Sequence, residues 1–152
     1  MPPLLLLPDI DAYRAHFDRT LCRQRIVTHD GIPVRFDRKT FDHAFFESSG
    51  KKGEKDVWSP LRAERMDWIL SGLTDQNALC VHGWNKAKGK SDPTRRVTVV
   101  VQDFVIVLGL YRSKTQELRA NFVTCYKADS KTIVRVRAGP RWKLEDFANA
   151  AN

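Results

Sequence analysis

The sequence predicts an α+β domain, with N-terminal helices packed on a four- to five-stranded antiparallel meander sheet. Apolar residues of the first half recur at helical spacing, whereas from Ala78 onward the period is that of strands. The strand candidates are joined mostly by short connections, which suit antiparallel neighbours. With 152 residues, of which 42% are apolar and 10% aromatic, the chain fits one domain with a real core.

The first helix is expected from a cap at Asp9 or Asp11 to about Gln24, because Ile10, Tyr13, Phe17 and Leu21 recur on one side. Ahead of it, Leu4-Leu5-Leu6-Leu7 is too short to span a membrane and lacks the basic start and cleavage pattern of a signal peptide. These leucines are expected to fasten the N-terminus to the body or to a second subunit. A hairpin follows, with Ile26-Val27-Thr28 and Ile32-Pro33-Val34-Arg35-Phe36 flanking the turn His29-Asp30-Gly31.

Residues 39–48 are helix-like and carry a polar pair. At about 100° per residue, His43 and Glu47 fall within about 40° of each other and nearly opposite Phe41. Such a pair suits acid–base chemistry, although histidine and glutamate at this spacing also occur as plain surface pairs. Ser49 to Lys55 reads as a flexible charged loop. Ser59-Pro60 then opens a helix to about Leu73, with Ser59 as N-cap and Pro60 in the first turn. Arg62 and Arg65 fall among its apolar residues Leu61, Met66, Trp68, Ile69, Leu70 and Leu73. There a guanidinium needs a carboxylate, an aromatic face or an anionic ligand, unless it snorkels to solvent.

Strands are expected at 79–84, 96–101, 104–111, 118–126 and 132–137. Phe104 to Leu108 is apolar on both faces and so central. The last strand alternates Ile133, Arg135 and Arg137 with Val134 and Val136, as at an edge, and the chain from Trp142 onward packs back or frays. Thr124 shares a strand face with Phe122 and Tyr126, where its methyl alone would also suit a core position.

A formal charge of +8 favours a polyanionic partner, nucleic acid first. The strongest basic cluster, Lys86, Lys88, Lys90, Arg95 and Arg96, lies in the loop between Trp84 and Val97, opposed only by Asp92. That loop can grip phosphates, with Trp84 placed to stack on a base, or can simply be a solvated hairpin tip. Cys22, Cys80 and Cys125 have neither the number nor the spacing of a disulfide framework or zinc site, which fits a reducing cytoplasm.

Four segments together resemble one family. They are Phe41-Asp42-His43-Ala44-Phe45-Phe46-Glu47-Ser48, then Ser59-Pro60-Leu61-Arg62-Ala63-Glu64-Arg65-Met66-Asp67-Trp68-Ile69, then Asp92-Pro93-Thr94-Arg95-Arg96-Val97, and last Phe122-Val123-Thr124-Cys125-Tyr126. In this order they are similar to the phage-encoded barnase/EndoU/colicin/RelE-like (BECR-fold) nucleases. The resemblance spans residues 37–138 and leaves 1–36 as an N-terminal helix and hairpin addition. It implies helices against a four-stranded antiparallel sheet, and cleavage of RNA without metal or cofactor by attack of the ribose 2′-OH, leaving a 2′,3′-cyclic phosphate.

The same resemblance implies roles for single residues. His43 is general acid or base, and Thr124 contacts the scissile phosphate. Arg62 or Arg65, with Arg95 or Arg96, binds phosphate, and Tyr126 adds an RNA contact. Glu47 is the partner base or holds the histidine in one tautomer. His16, His29 and His82 are weaker candidates. The implied substrate is RNA, with tRNA plausible, and the implied restraint is an immunity protein, an antitoxin or confinement in a virion. Rival readings are a metal site on His43 and Glu47, a nucleic-acid-binding module without catalysis, and a phage structural or interaction domain that keeps only the nuclease-like fold.

Overall fold

The computed structural model describes residues 1–50, 55–85, 89–92, 94 and 96–145. Asp9 caps α1 (Ile10–Phe17), its carboxylate accepting from the Ala12 amide at 2.8 Å. The chain then winds as a π-helical turn, Asp18–Cys22, where α-helix to Gln24 is the sequence expectation. Thr20 Oγ1 donates to the His16 carbonyl at 2.7 Å, and this competition for the helix backbone accompanies the change of winding. Tyr13, Phe17 and Leu21 stay buried along one side.

The N-terminal leucines lie on this body. The Leu5 amide donates to the Glu64 carbonyl at 2.7 Å, the Tyr13 hydroxyl to the Leu5 carbonyl at 2.7 Å, and Trp68 Nε1 to the Pro2 carbonyl at 2.8 Å. Leu5 and Leu7 pack on the core while Leu4 and Leu6 face out. β1 (Ile26–Val27) and β2 (Pro33–Arg35) form the hairpin, with Gly31 at φ 90° in its turn, where glycine is unstrained.

The helix expected over 39–48 ends early. α2 (Thr40–Phe45) stops, and β3 (Phe46–Ser48) pairs antiparallel with β4 (Lys55–Trp58). Phe46 thereby meets Trp58 with ring centroids 5.3 Å apart, and Trp58 stacks on Phe41 at 5.9 Å. Aromatic contacts across the ladder outweigh the helical spacing of Glu47. The charged loop is thus partly strand, and its residues 51–54 lie outside the described residues.

The next helix is also divided. Ser59 caps α3 (Pro60–Ala63), and α4 (Met66–Thr74) follows after a break at Glu64 and Arg65. The Glu64 carbonyl is taken by Leu5, and the Leu61 carbonyl by Arg65 Nη1 at 2.8 Å, so the break leaves these groups satisfied.

The second half supplies β5 (Leu79–His82), a small hairpin of β6 (Trp84–Asn85) and β7 (Lys90–Ser91), then β8 (Arg96–Val101), β9 (Phe104–Arg112) and β10 (Leu118–Lys127). The main sheet runs β1-β2-β10-β9-β8-β5. Its neighbours are antiparallel except β2 and β10, which are parallel, so the sheet is mixed and six-stranded where an antiparallel one of four to five strands is expected. The long route from β2 through the helices returns the chain beside β2 in the same direction, which a short connection cannot do. β9 is interior, with Phe104, Val105, Ile106 and Leu108 all buried.

The expected edge strand at 132–137 is a helix. Asp129 accepts from the Thr132 amide at 2.7 Å and caps α5 (Ser130–Arg137). The edge of β5 is covered instead by the residues after α5. The His82 amide donates to the Pro140 carbonyl at 2.8 Å and the Trp142 amide to the Cys80 carbonyl at 2.9 Å, which buries Trp142. Arg135 and Arg137 therefore add no charge to the sheet as strand residues.

One apolar cluster joins Tyr13, Phe17 and the α2 and α4 side chains to one face of the sheet. Val81, Val100 and Val105 are buried on the opposite face, where Gly139, just past α5, lies against Val81. The architecture is α+β. No helix among the described residues is long and apolar enough to cross a membrane.

Candidate functional site

Along β10, β2 pairs with Ala120 and Asn121, so among the described residues the later half of β10 is not covered by a strand on that side, and α2 and α3 pack against β10. The β9–β10 register shifts at Val123: Phe122 opposes Leu108, and Thr124 opposes Val107. This bulge reverses side-chain parity. Phe122 and Cys125 both enter the core, and Thr124 and Tyr126 turn to the other face, half-buried. The face that regular alternation assigns to Phe122, Thr124 and Tyr126 together is therefore split. Thr124 Oγ1 is shielded from water and has no hydrogen-bond partner among the described residues.

Arg62 ties this edge to α2. Its Nη1 donates to the Ala44 carbonyl at 3.0 Å, and Cys125 Sγ lies 4.0 Å from that same oxygen. Arg62 Nε stands 3.4 Å from Glu47 Oε1, an ion pair not aligned as a hydrogen bond. The arginine is 13% exposed and the carboxylate 48% exposed, so the pair reaches from the interior to the surface. Glu47 leaves α2 before it can share a helix face with His43, and no hydrogen bond joins them among the described residues. Glu47 is thus paired with Arg62 and not hydrogen-bonded to the imidazole.

His43 is exposed on α2, and its pKa lies below the ordinary imidazole value. Partial desolvation is the first cause, followed by the positive charges of Lys55, Arg62 and Arg96. The ring is therefore mainly neutral at pH 7 and able to accept a proton. Burial raises the pKa of the Tyr126 phenol, against the opposing influence of Arg135 and Arg62. Burial also pushes the Cys125 thiol up to about 12, which leaves it unreactive.

Arg62 is the shared element: Glu47 pairs with it, and its charge bears on both His43 and Tyr126, while Lys55 and Arg96 add to the positive charge felt at His43. Lys55 was not legible as a site residue, because its segment reads as loop; the signal was Val57-Trp58, an apolar pair able to hold a strand. Arg65 stands apart, with Nη1 bound to Glu64 Oε1 at 2.7 Å and its guanidinium 5.2 Å from the Trp68 ring centroid. Trp84 is in β6, while Lys86, Lys88 and Arg95 lie outside the described residues. His16 Nε2 sits 2.7 Å from Asp67 Oδ1 and links α1 to α4. Among the described residues no three His, Cys, Asp or Glu side chains gather as a metal-ligand group.

Gly83 places Arg96. A Cβ on Gly83 would stand 2.2 Å from Arg96 Cβ and 3.0 Å from its backbone carbon. Gly83→Ala is expected to force β8 away from Gly83 and to destabilise the fold by about 1–3 kcal/mol, read as a lower urea midpoint. An unchanged midpoint contradicts the close approach.

Comparison of the chain with protein-family models, curated proteins and solved structures gave no match.

Proposed function

We propose that this protein is a metal-independent endoribonuclease of the BECR type, phage- or prophage-borne and acting in the cytoplasm. The feature that carries this reading is His43, exposed on α2, whose pKa is lowered by partial burial and by the positive charges of Lys55, Arg62 and Arg96. The antiparallel run β5-β8-β9-β10 with α2 and α4 on one face supports the fold assignment, and the β1–β2 hairpin is an addition to it.

In this mechanism His43 takes the proton of the ribose 2′-OH, whose oxygen attacks the phosphorus. The bond to the 5′-oxygen breaks, and that oxygen gains a proton. We assign that proton to Tyr126, a protonated phenol under the influence of the same Arg62, although burial makes it a weaker acid. Arg62, Lys55 and Arg96 stabilise the phosphorane charge, and the Thr124 hydroxyl, shielded and without a partner among the described residues, donates to a phosphate oxygen only once it is uncovered. The product carries a 2′,3′-cyclic phosphate. RNA, with tRNA included, is the substrate, and an immunity protein or antitoxin is the partner such an activity calls for.

Incubation with single-stranded RNA and tRNA in excess chelator tests this. Undiminished cleavage supports the reading, and cleavage restored only by a divalent metal contradicts it. RNA binding without cleavage favours the second reading, a non-catalytic nucleic-acid-binding domain. Exposed cations such as Arg35, 75% exposed, speak for that second reading.

The pH profile gives a further check. A base whose pKa is lowered is deprotonated earlier as pH rises, so kcat/KM is expected to climb and level off below pH ~6.5, the ordinary histidine value. Activity that falls as pH rises through this range would assign His43 the acid role instead.

A further inference from the structure

We infer that the β1–β2 hairpin and β10 build a second site, a groove that binds the backbone and one base of single-stranded RNA apart from His43. A cavity of about 360 Å³ opens there, lined by Arg25, Arg35, Arg119, Tyr111 and Glu117 among others. A second cavity of about 300 Å³ shares Arg35 and Tyr111 with it and reaches Asn121 and Thr40, the first residue of the helix that carries His43.

The register explains why these residues meet. Val34, Ala120 and Phe122 face the core, so their neighbours Arg35, Arg119 and Asn121 face the other way. Tyr111 stands directly across from Arg119, and Asn121 across from both Gly109 and Arg35. Gly109 adds no side chain, and the groove floor stays low there. The parallel β2–β10 pairing, which the hairpin contributes, is what brings Arg35 to this face.

The lining has the chemistry of a nucleic-acid strand. Three guanidinium groups face two carboxylates, Glu117 in the first cavity and Asp37 in the second. Arg25 makes no ion pair among the described residues, and Arg35 has only Asp37 at 3.8 Å. Arg119 spends Nη2 on Glu117 at 2.9 Å, and its Nε is shielded from water with no hydrogen-bond partner among the described residues. The Arg119 side chain as a whole is 42% exposed, so its charge remains open to a phosphate. Tyr111 is 39% exposed, a ring face open to stacking by an unpaired base. A duplex keeps its bases inside and cannot offer one to the ring. The choice of RNA over other single strands rests on the nuclease reading above.

The test is fluorescence anisotropy of a labelled 2′-O-methyl RNA of about a dozen nucleotides, which binds but has no free 2′-OH to react. Tyr111→Ala is expected to weaken binding about fivefold or more, and Tyr111→Phe to keep it within about twofold. The pair Arg35→Ala with Arg119→Ala is expected to weaken binding and to flatten the salt dependence by about 1.4 in log–log slope. Lys114→Ala, an exposed cation on the β9–β10 turn, is the control for charge alone and is expected to stay within about twofold of the natural chain. Circular dichroism checks that each variant is folded.

If the tyrosine and arginine variants bind as Lys114→Ala does, or the natural chain does not bind, the groove is not an RNA site. Tyr111-dependent binding by a chain that does not cleave RNA removes the nuclease reading and leaves the groove standing.

Discussion

His43→Ala is expected to lower the RNA cleavage rate by about a hundredfold or more while leaving the fold intact. Loss of a positioned general base costs on the order of 10²–10⁴ in rate. The side chain is exposed and makes no hydrogen bond among the described residues, so its removal should change stability by no more than about 0.5 kcal/mol. A rate measured in excess chelator, beside a urea unfolding curve, separates the two effects. A variant that cuts at the natural rate removes His43 from the chemistry, whatever the activity of the chain. Arg62 is a poorer probe, since its removal strips a donor from the Ala44 carbonyl and the ion-pair partner from Glu47, as well as a cation from any phosphate.

Phe17→Ala carries the largest expected effect on stability, about 3–5 kcal/mol. Phe17 is 1% exposed, and its ring meets those of Phe41 and Phe45 edge-on at 5.7 and 5.6 Å and those of Phe36 and Phe122 at 6.1 Å each. Those four partners come from the hairpin, α2 and β10, and no single neighbour can relax to fill the void. Domains of this size are stable by only about 5–15 kcal/mol, so the loss takes a large share. The urea midpoint should fall with the m-value unchanged. A shift under about 1 kcal/mol would mean that the aromatic cluster is not the joint between helices and sheet. Because Phe41 and Phe45 hold α2, the same variant should also lower cleavage.

Elements were legible where one signal acted alone. β8, β9 and β10 stand close to their expected bounds because β-branched and aromatic residues persist there between turn residues. The segment Ile133-Val134-Arg135-Val136-Arg137 misled because period-two alternation of β-branched residues is a strand pattern, whereas α5 has no buried stripe to announce a helix. Its only helical signal was Asp129 three residues before Thr132. Glu47 misled for a related reason, since Phe46 completes a helical run by spacing yet finds Trp58 across a ladder.

The candidate site was legible in part. His43 and Arg62 stand out as a histidine on a short helix and a guanidinium on a packed face. The face taken by Thr124 depends on the bulge at Val123, which no glycine or other turn residue marks. The groove residues Arg35 and Arg119 are single charges in strand segments, and only the parallel pairing of β2 with β10 brings them together.

The most direct test of the account is the chemistry of the cut ends. RNA cleaved by the natural chain in excess chelator should end in 2′,3′-cyclic phosphate, and His43→Ala under the same conditions should yield almost none. Ends carrying a 3′-hydroxyl, or cyclic-phosphate ends made equally well by His43→Ala, would contradict attack by the 2′-OH with His43 as its base.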